Sequence, residues 1–399
     1  MSRALRSYLS HTLYNNNTKR TGKSIRLDLS SFYPFLACLA ESCHRNPGKP
    51  PHPAVTHRIL NDVNPGSPIH KLPDGSSSRL LILGSEVSSE SMRDPSSTEW
   101  WPSAKSLKVA SKLVRRILRE GYVLQVCMAI CTALVAELYT TTSGAGTAQK
   151  RVRMRYRSSP ISDFGICVGS VEVTSRDKLA YWLPDGELFK GQDPNDHYWM
   201  YFRTMRGEEV VLDLAMFPFN LCTMVPTTSY ISQRASKMMP LAPAFFLDRV
   251  TRNNTPALAL HRERRRFSIL RNSKIHEAVR STENDSFTQA DVKRLCSVME
   301  GIAGRKCSHI EQDLMLQWMV DSCGRIEDCL RHEDWKAFPE QVKICIEADP
   351  GELDDLDDRE ADWHKTMKKW KREHKTRKRP NPLNGGRSSS GSSSTLVRV

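Results

Sequence analysis

No stretch of this 399-residue sequence stays apolar for the roughly 18 residues that a membrane-crossing helix needs. The longest candidate, Tyr122 to Leu138, is interrupted by Gln125, Thr132 and Glu137, and so reads as a buried helix of a folded core. The amino terminus lacks the apolar run of a secretory signal. Acids are missing before Asp28, while six Lys or Arg fall within the first 27 positions. That start fits a mitochondrial presequence, with Arg3, Leu5, Arg6, Leu9 and Leu13 on an amphipathic helix, and equally a disordered tail. CxxC pairs are also missing from the eleven cysteines; Cys38/Cys43, Cys127/Cys131 and Cys323/Cys329 are the nearest neighbours. The pattern implies reduced thiols in a cytoplasmic or nuclear compartment. Cys38, Cys43, His44, His52 and His57 are zinc-ligand types at the wrong spacing for the common fingers, so neither metal nor cofactor is expected.

What is present is uneven positive charge. The formal net charge is +14, and Arg262, Arg264, Arg265, Arg266 and Arg271 form one cluster. Residues 347–362 carry nine acids and one arginine; residues 365–379 carry nine basic residues and one acid. Within the basic block, Lys368, Lys369, Trp370, Lys371 and Arg372 interleave cations with an indole, a composition that grips phosphates and stacks on bases, or serves as a nuclear-import signal. The Ser- and Gly-rich stretch from 381 to 399 reads as disordered.

Between these ends the hydrophobic pattern changes period. A short helix fits Leu27 to Cys43, and 46–98 reads as a loop-rich region in which only Arg79 to Leu83 resembles a strand. From Ser103 to Glu120, apolar residues recur every three or four positions, predicting an amphipathic helix stopped by Gly121. The next helix, to Tyr139, is apolar all round and therefore central. Strands follow at Arg151–Arg157, Gly165–Val173, Lys178–Trp182, His197–Arg203 and Glu208–Asp213, joined by short turns that argue for an antiparallel sheet. Thr288–Asp291 and Ser308–Glu311 fit capping boxes opening helices at about 289–303 and 309–331. The fold class is α+β: a buried helix on an antiparallel sheet, with a helical segment after it. The expected layout is a disordered 1–25, a loop-rich 26–98, an α+β core at 99–250, a helical 285–346, a charged 347–380 and a disordered tail.

Three residues in this core have the chemistry of acyl transfer. Cys127 opens the apolar helix, where the helix dipole favours thiolate. His197 opens a strand and Asp213 ends the next, so a hairpin through Met205-Arg-Gly207 sets base and orienting carboxylate side by side. Trp199 shares the face of His197 and can shield it, and Gln125, Trp100 or Trp101 can donate to an oxyanion. Each has a plainer reading: a core thiol, a turn histidine, a carboxylate capping a turn. Cys131, one helical turn on, is the rival nucleophile.

Cys127 with Ala129, Ala133 and Leu134 behind it, His197-Tyr-Trp199 and Val211-Leu-Asp213 together resemble the transglutaminase-like (papain-like cysteine protease) superfamily, over about 121–217. Its members pair a helix-opening Cys with H-x-W and a strand-ending l-D. Val126 stands where the family has a small residue, and the 70 residues between Cys127 and His197 call for an insertion such as 190–196. The resemblance implies cysteine-dependent hydrolysis or transfer at an amide bond of a protein or peptide substrate, or an inactive descendant of such an enzyme. The alternative function is a nuclear module that binds nucleic acid or protein through its basic carboxy-terminal segment.

Overall fold

A computed structural model describes residues 26–88, 99–139, 152–221, 223–231, 240–249, 259–280 and 287–347, together with 253, 365, 368, 369 and 372. The expectations for 1–25, for the loop after Tyr139, for the acidic block beyond 347 and for 381–399 lie outside these residues. β1 (Arg26–Asp28) leads into α1 (Leu29–His44), and the short α2 (Pro53–Thr56) is followed by β2 (His57–Ile59), β3 (His70–Lys71) and β4 (Ser77–Glu86). Then come α3 (Leu107–Leu118), α4 (Val123–Tyr139), β5 (Arg153–Tyr156), β6 (Ser159–Val171), β7 (Leu179–Trp182), β8 (Leu188–Lys190), β9 (His197–Thr204) and β10 (Glu209–Asp213). The chain continues through β11 (Thr223–Pro226), β12 (Leu241–Pro243), β13 (Phe245–Asp248), β14 (His261–Ser268), α5 (Ser273–Arg280), α6 (Gln289–Ala303), α7 (His309–Arg331) and β15 (Cys345–Ile346).

Local chemistry sets the helix ends. Asp28 caps α1 by accepting the Ser30 amide at 3.0 Å, and Ser106 caps α3, three residues inside the expected start. Both anticipated capping boxes form: Thr288 with Asp291, and Ser308 with Glu311. Gly304, at φ 71°, ends α6 in the left-handed conformation.

The fold is α+β, with helices packed on a largely antiparallel sheet. That sheet runs β1-β5-β6-β9-β10-β13, with β14 also paired to β6. Side-chain alternation divides its faces. Phe164, Ile166 and Val168 of β6, Tyr198, Met200 and Phe202 of β9, and Val210 and Leu212 of β10 pack with α4 in the main core. Cys167, Trp199, Tyr201 and Val211 form a separate buried cluster on the other face. α7 packs along α4, and α1, α5 and α6 also contact it, so α4 is enclosed on every side. Burying side chains such as Met200, Phe202 and Leu212 contributes roughly 2 kcal/mol each.

The stretch read as loop-rich is more ordered than its Pro, Gly and Ser content suggests. β2, β3 and β4 join β7 and β8 in a second, five-stranded sheet, β4 and β7 running parallel. Its core joins Ile59, Leu81, Leu83, Trp100, Trp101, Ile117 and Tyr181. Arg79–Leu83 was legible as the middle of β4, whereas β2 and β3 are three- and two-residue strands held by pairing with β4. The boundaries placed at 98 and 250 do not separate packed bodies, since α1 and the 285–346 helices share one core with α4. The described residues up to 347 belong to one compact unit, and 365, 368, 369 and 372 to a second.

Candidate functional site

The His197–Asp213 pair forms. The β9–β10 pairing matches Met200 with Leu212 and Tyr201 with Val211, which puts both residues on the face that carries Trp199. His197 Nε2 lies 2.6 Å from Asp213 Oδ2, and neither side chain has any solvent exposure. Trp199 stacks beside the imidazole with centroids 6.1 Å apart, and Phe219 closes another side at 5.7 Å.

A third residue, unforeseen in the sequence, completes the cluster. His261 Nε2 lies 2.7 Å from the same Oδ2, its ring 4.7 Å from Trp199 and 5.5 Å from Phe245. Gly169 makes this approach possible: an added Cβ would lie 2.1 Å from the Arg262 carbonyl oxygen and 2.8 Å from the Trp199 ring. The ladder from β6 to β14 also slips between Glu263 and Arg265. Asp213 Oδ1 accepts the Ala215 amide at 2.8 Å, so both carboxylate oxygens are engaged. Burial alone would raise the Asp213 carboxyl; the charge and hydrogen bonds of His197 and His261 outweigh it and hold the group below the usual carboxylate range. With Nε2 committed to Asp213, the nitrogen left to His197 for proton transfer is Nδ1, which is buried and makes no hydrogen bond among the described residues.

Cys127 does not join them. It sits one turn into α4, on the helix-bearing side of the sheet, whereas His197 and Asp213 sit on the other face. Its exposure is 2%, and no hydrogen bond links its Sγ to His197 among the described residues. Burial, then Cys131 and Asp213, pushes its thiol well above the ordinary range, the reverse of what an attacking thiolate needs. Cys131 is equally enclosed, and burial raises it too. The anticipated donors are spent elsewhere: Gln125 donates to Glu311 at 3.1 Å, Trp100 to the Ala54 carbonyl at 2.8 Å and Trp101 to the Asn61 carbonyl at 3.2 Å.

A cleft of about 360 Å³ lies at the start of α4, with Gln125, Tyr122, His52, Phe189 and Tyr198 in its walls. The stretch after β8 forms one wall of it, where Gln192 accepts the Gly121 amide at 2.9 Å. Glu120 and His52 face one another there at 3.4 Å.

Among the described residues, His197, Asp213 and His261 are the group that can hold a metal, their donor atoms all within 4.8 Å of one another. The cysteines and histidines of 38–57 do not gather into such a group. In the second unit, Lys365, Lys368, Lys369 and Arg372 are helical and exposed, at the i, i+3, i+4, i+7 spacing of one helix face; Trp370 and Lys371 lie outside the described residues. The arginine cluster of β14 is exposed but bonded to the fold: Arg266 holds Glu209 and Glu263, Arg264 holds the Gly169 and Asn195 carbonyls, and Arg265 holds that of Ile302.

No family model, no curated protein and no solved structure matches this chain.

Proposed function

We propose that the chain is an inactive descendant of a transglutaminase-like acyl-transfer enzyme, acting by binding a protein or peptide partner at the cleft beside α4. The observation that carries this reading is the placement of Cys127 within the main core, its thiol pushed up by burial, on the sheet face opposite His197. Attack on an amide needs a thiolate in reach of its base and of substrate. Neither condition is met by Cys127 or Cys131. The open cleft, by contrast, presents aromatic and charged side chains to solvent. The decisive assay mixes the full-length protein with a fluorescent primary amine and casein as glutamine donor. Wild type and Cys127→Ala are expected to give the same background of amine incorporation and of ammonia release. Turnover that disappears in Cys127→Ala would reject the reading.

A second reading belongs to the carboxy-terminal unit. Lys365, Lys368, Lys369 and Arg372 make a cationic stripe that fits a phosphate backbone. Binding to arbitrary duplex DNA is expected to fall steeply with salt and to vanish when residues 363–380 are deleted. Binding that ignores both salt and the deletion would exclude it.

A further inference from the structure

We propose that His197, Asp213 and His261 bind one divalent transition-metal ion of the zinc class through the two Nε2 atoms and Asp213 Oδ2. His197 and Asp213 come from the hairpin strands β9 and β10 and His261 from the later β14, and their donor atoms converge within 4.8 Å. A tetrahedral zinc with arms of about 2.0–2.1 Å sets its donors roughly 3.3 Å apart. The present separations of 2.6 and 2.7 Å from Oδ2 open to that value by about 0.7 and 0.6 Å, within the reach of small side-chain rotations.

The carboxylate is already aimed, because the Ala215 amide holds Oδ1 and leaves Oδ2 to the two rings. Both imidazoles offer the same nitrogen to one point. On coordination a neutral ring carries its proton on Nδ1, so binding requires no net loss of protons from neutral histidines. Charge supplies the drive. Asp213 is fully buried, and the rings of Trp199, Phe219 and Phe245 close around the two histidines bonded to it. An ionised carboxylate in such surroundings needs a compensating cation: a proton on imidazole or a bound ion. Two imidazoles and one carboxylate suit zinc, cobalt or ferrous iron; magnesium and calcium prefer all-oxygen sites. The folding of β14 against Gly169 is what brings the third ligand into place.

Complete burial means that loading accompanies folding, so the test refolds the full-length chain from denaturant with equimolar Zn²⁺ or Co²⁺ and desalts it into chelator. Elemental analysis is expected to find one ion per chain, and the cobalt form to show the ligand-field absorption of a low-coordinate nitrogen–oxygen site. His261→Gln and Asp213→Asn, both close to the native size, are expected to retain less than about a tenth of that metal. Wild type holding no more metal than these variants, with all three folded by circular dichroism, would overturn the proposal. If the variants do not fold, the cobalt spectrum of wild type decides: absorption no different from that of the aqueous ion rejects the site.

Discussion

Burial acts on the carboxyl groups of Asp213 and Glu137 alike, yet their neighbours send them in opposite directions. Two imidazoles outweigh the desolvation of Asp213 and hold its carboxyl low. For Glu137, on α4, the help is outweighed: burial and then Glu327 raise it from 4.5 to about 7, against the charge of Arg331 and a hydrogen bond with Cys323. The folded chain therefore keeps a proton on Glu137 that the unfolded chain releases above about pH 4.5, and stability falls as pH rises from there to about 7. Glu137→Gln, which never ionises, is expected to leave stability unchanged near pH 4 and to raise it by up to about 3 kcal/mol at pH 8, measured by urea unfolding. An equal effect at both values would contradict this. His197 and Asp213 were legible because strand parity fixes the face of a side chain once a strand is recognised. The partner that Asp213 shares, His261, was not, because nothing in the sequence around it says that its strand folds over Gly169.

Among the elements, those with local signatures were read most closely. α6 and α7 begin at their capping boxes, and β7, β9 and β10 fall within a residue or two of their alternating runs. β14 escaped notice because Arg262–Arg266 shows no apolar alternation; its charges are instead matched by Glu172 and Glu209 of other segments and by Glu263 within the strand. Non-local polar contacts hold other elements together. Arg119, from the turn after α3, meets Glu41 of α1 through two buried bonds of 2.9 and 2.8 Å and stands over the Phe217 ring. Arg116 donates to the Pro218 carbonyl at 3.0 and 2.8 Å. Together they brace the Phe217–Phe219 turn that presses Phe219 on His197. Removing one charge strands the other in the interior. Glu41→Gln is expected to cost about 3 kcal/mol in urea unfolding, and Glu41→Met with Arg119→Met to cost less than that single change. A double variant weaker than the single one would show that the pair stabilises the fold outright.

At the scale of the whole molecule, the α+β class and the central place of α4 follow from its apolar surface, while the second sheet and the shared core depend on pairings no local pattern reveals. The family resemblance placed a thiol, an imidazole and a carboxylate in the right order along the chain. In space, the sheet lies between the thiol and the other two. Alkylation of the native full-length protein by iodoacetamide at about pH 7, followed site by site, tests this most directly. Cys345, partly exposed on β15, is expected to react while Cys127 stays protected until the protein is unfolded. Preferential labelling of Cys127 in the folded protein would contradict the account, because it would mean a reachable, low-pKa thiolate where the structure has a core side chain.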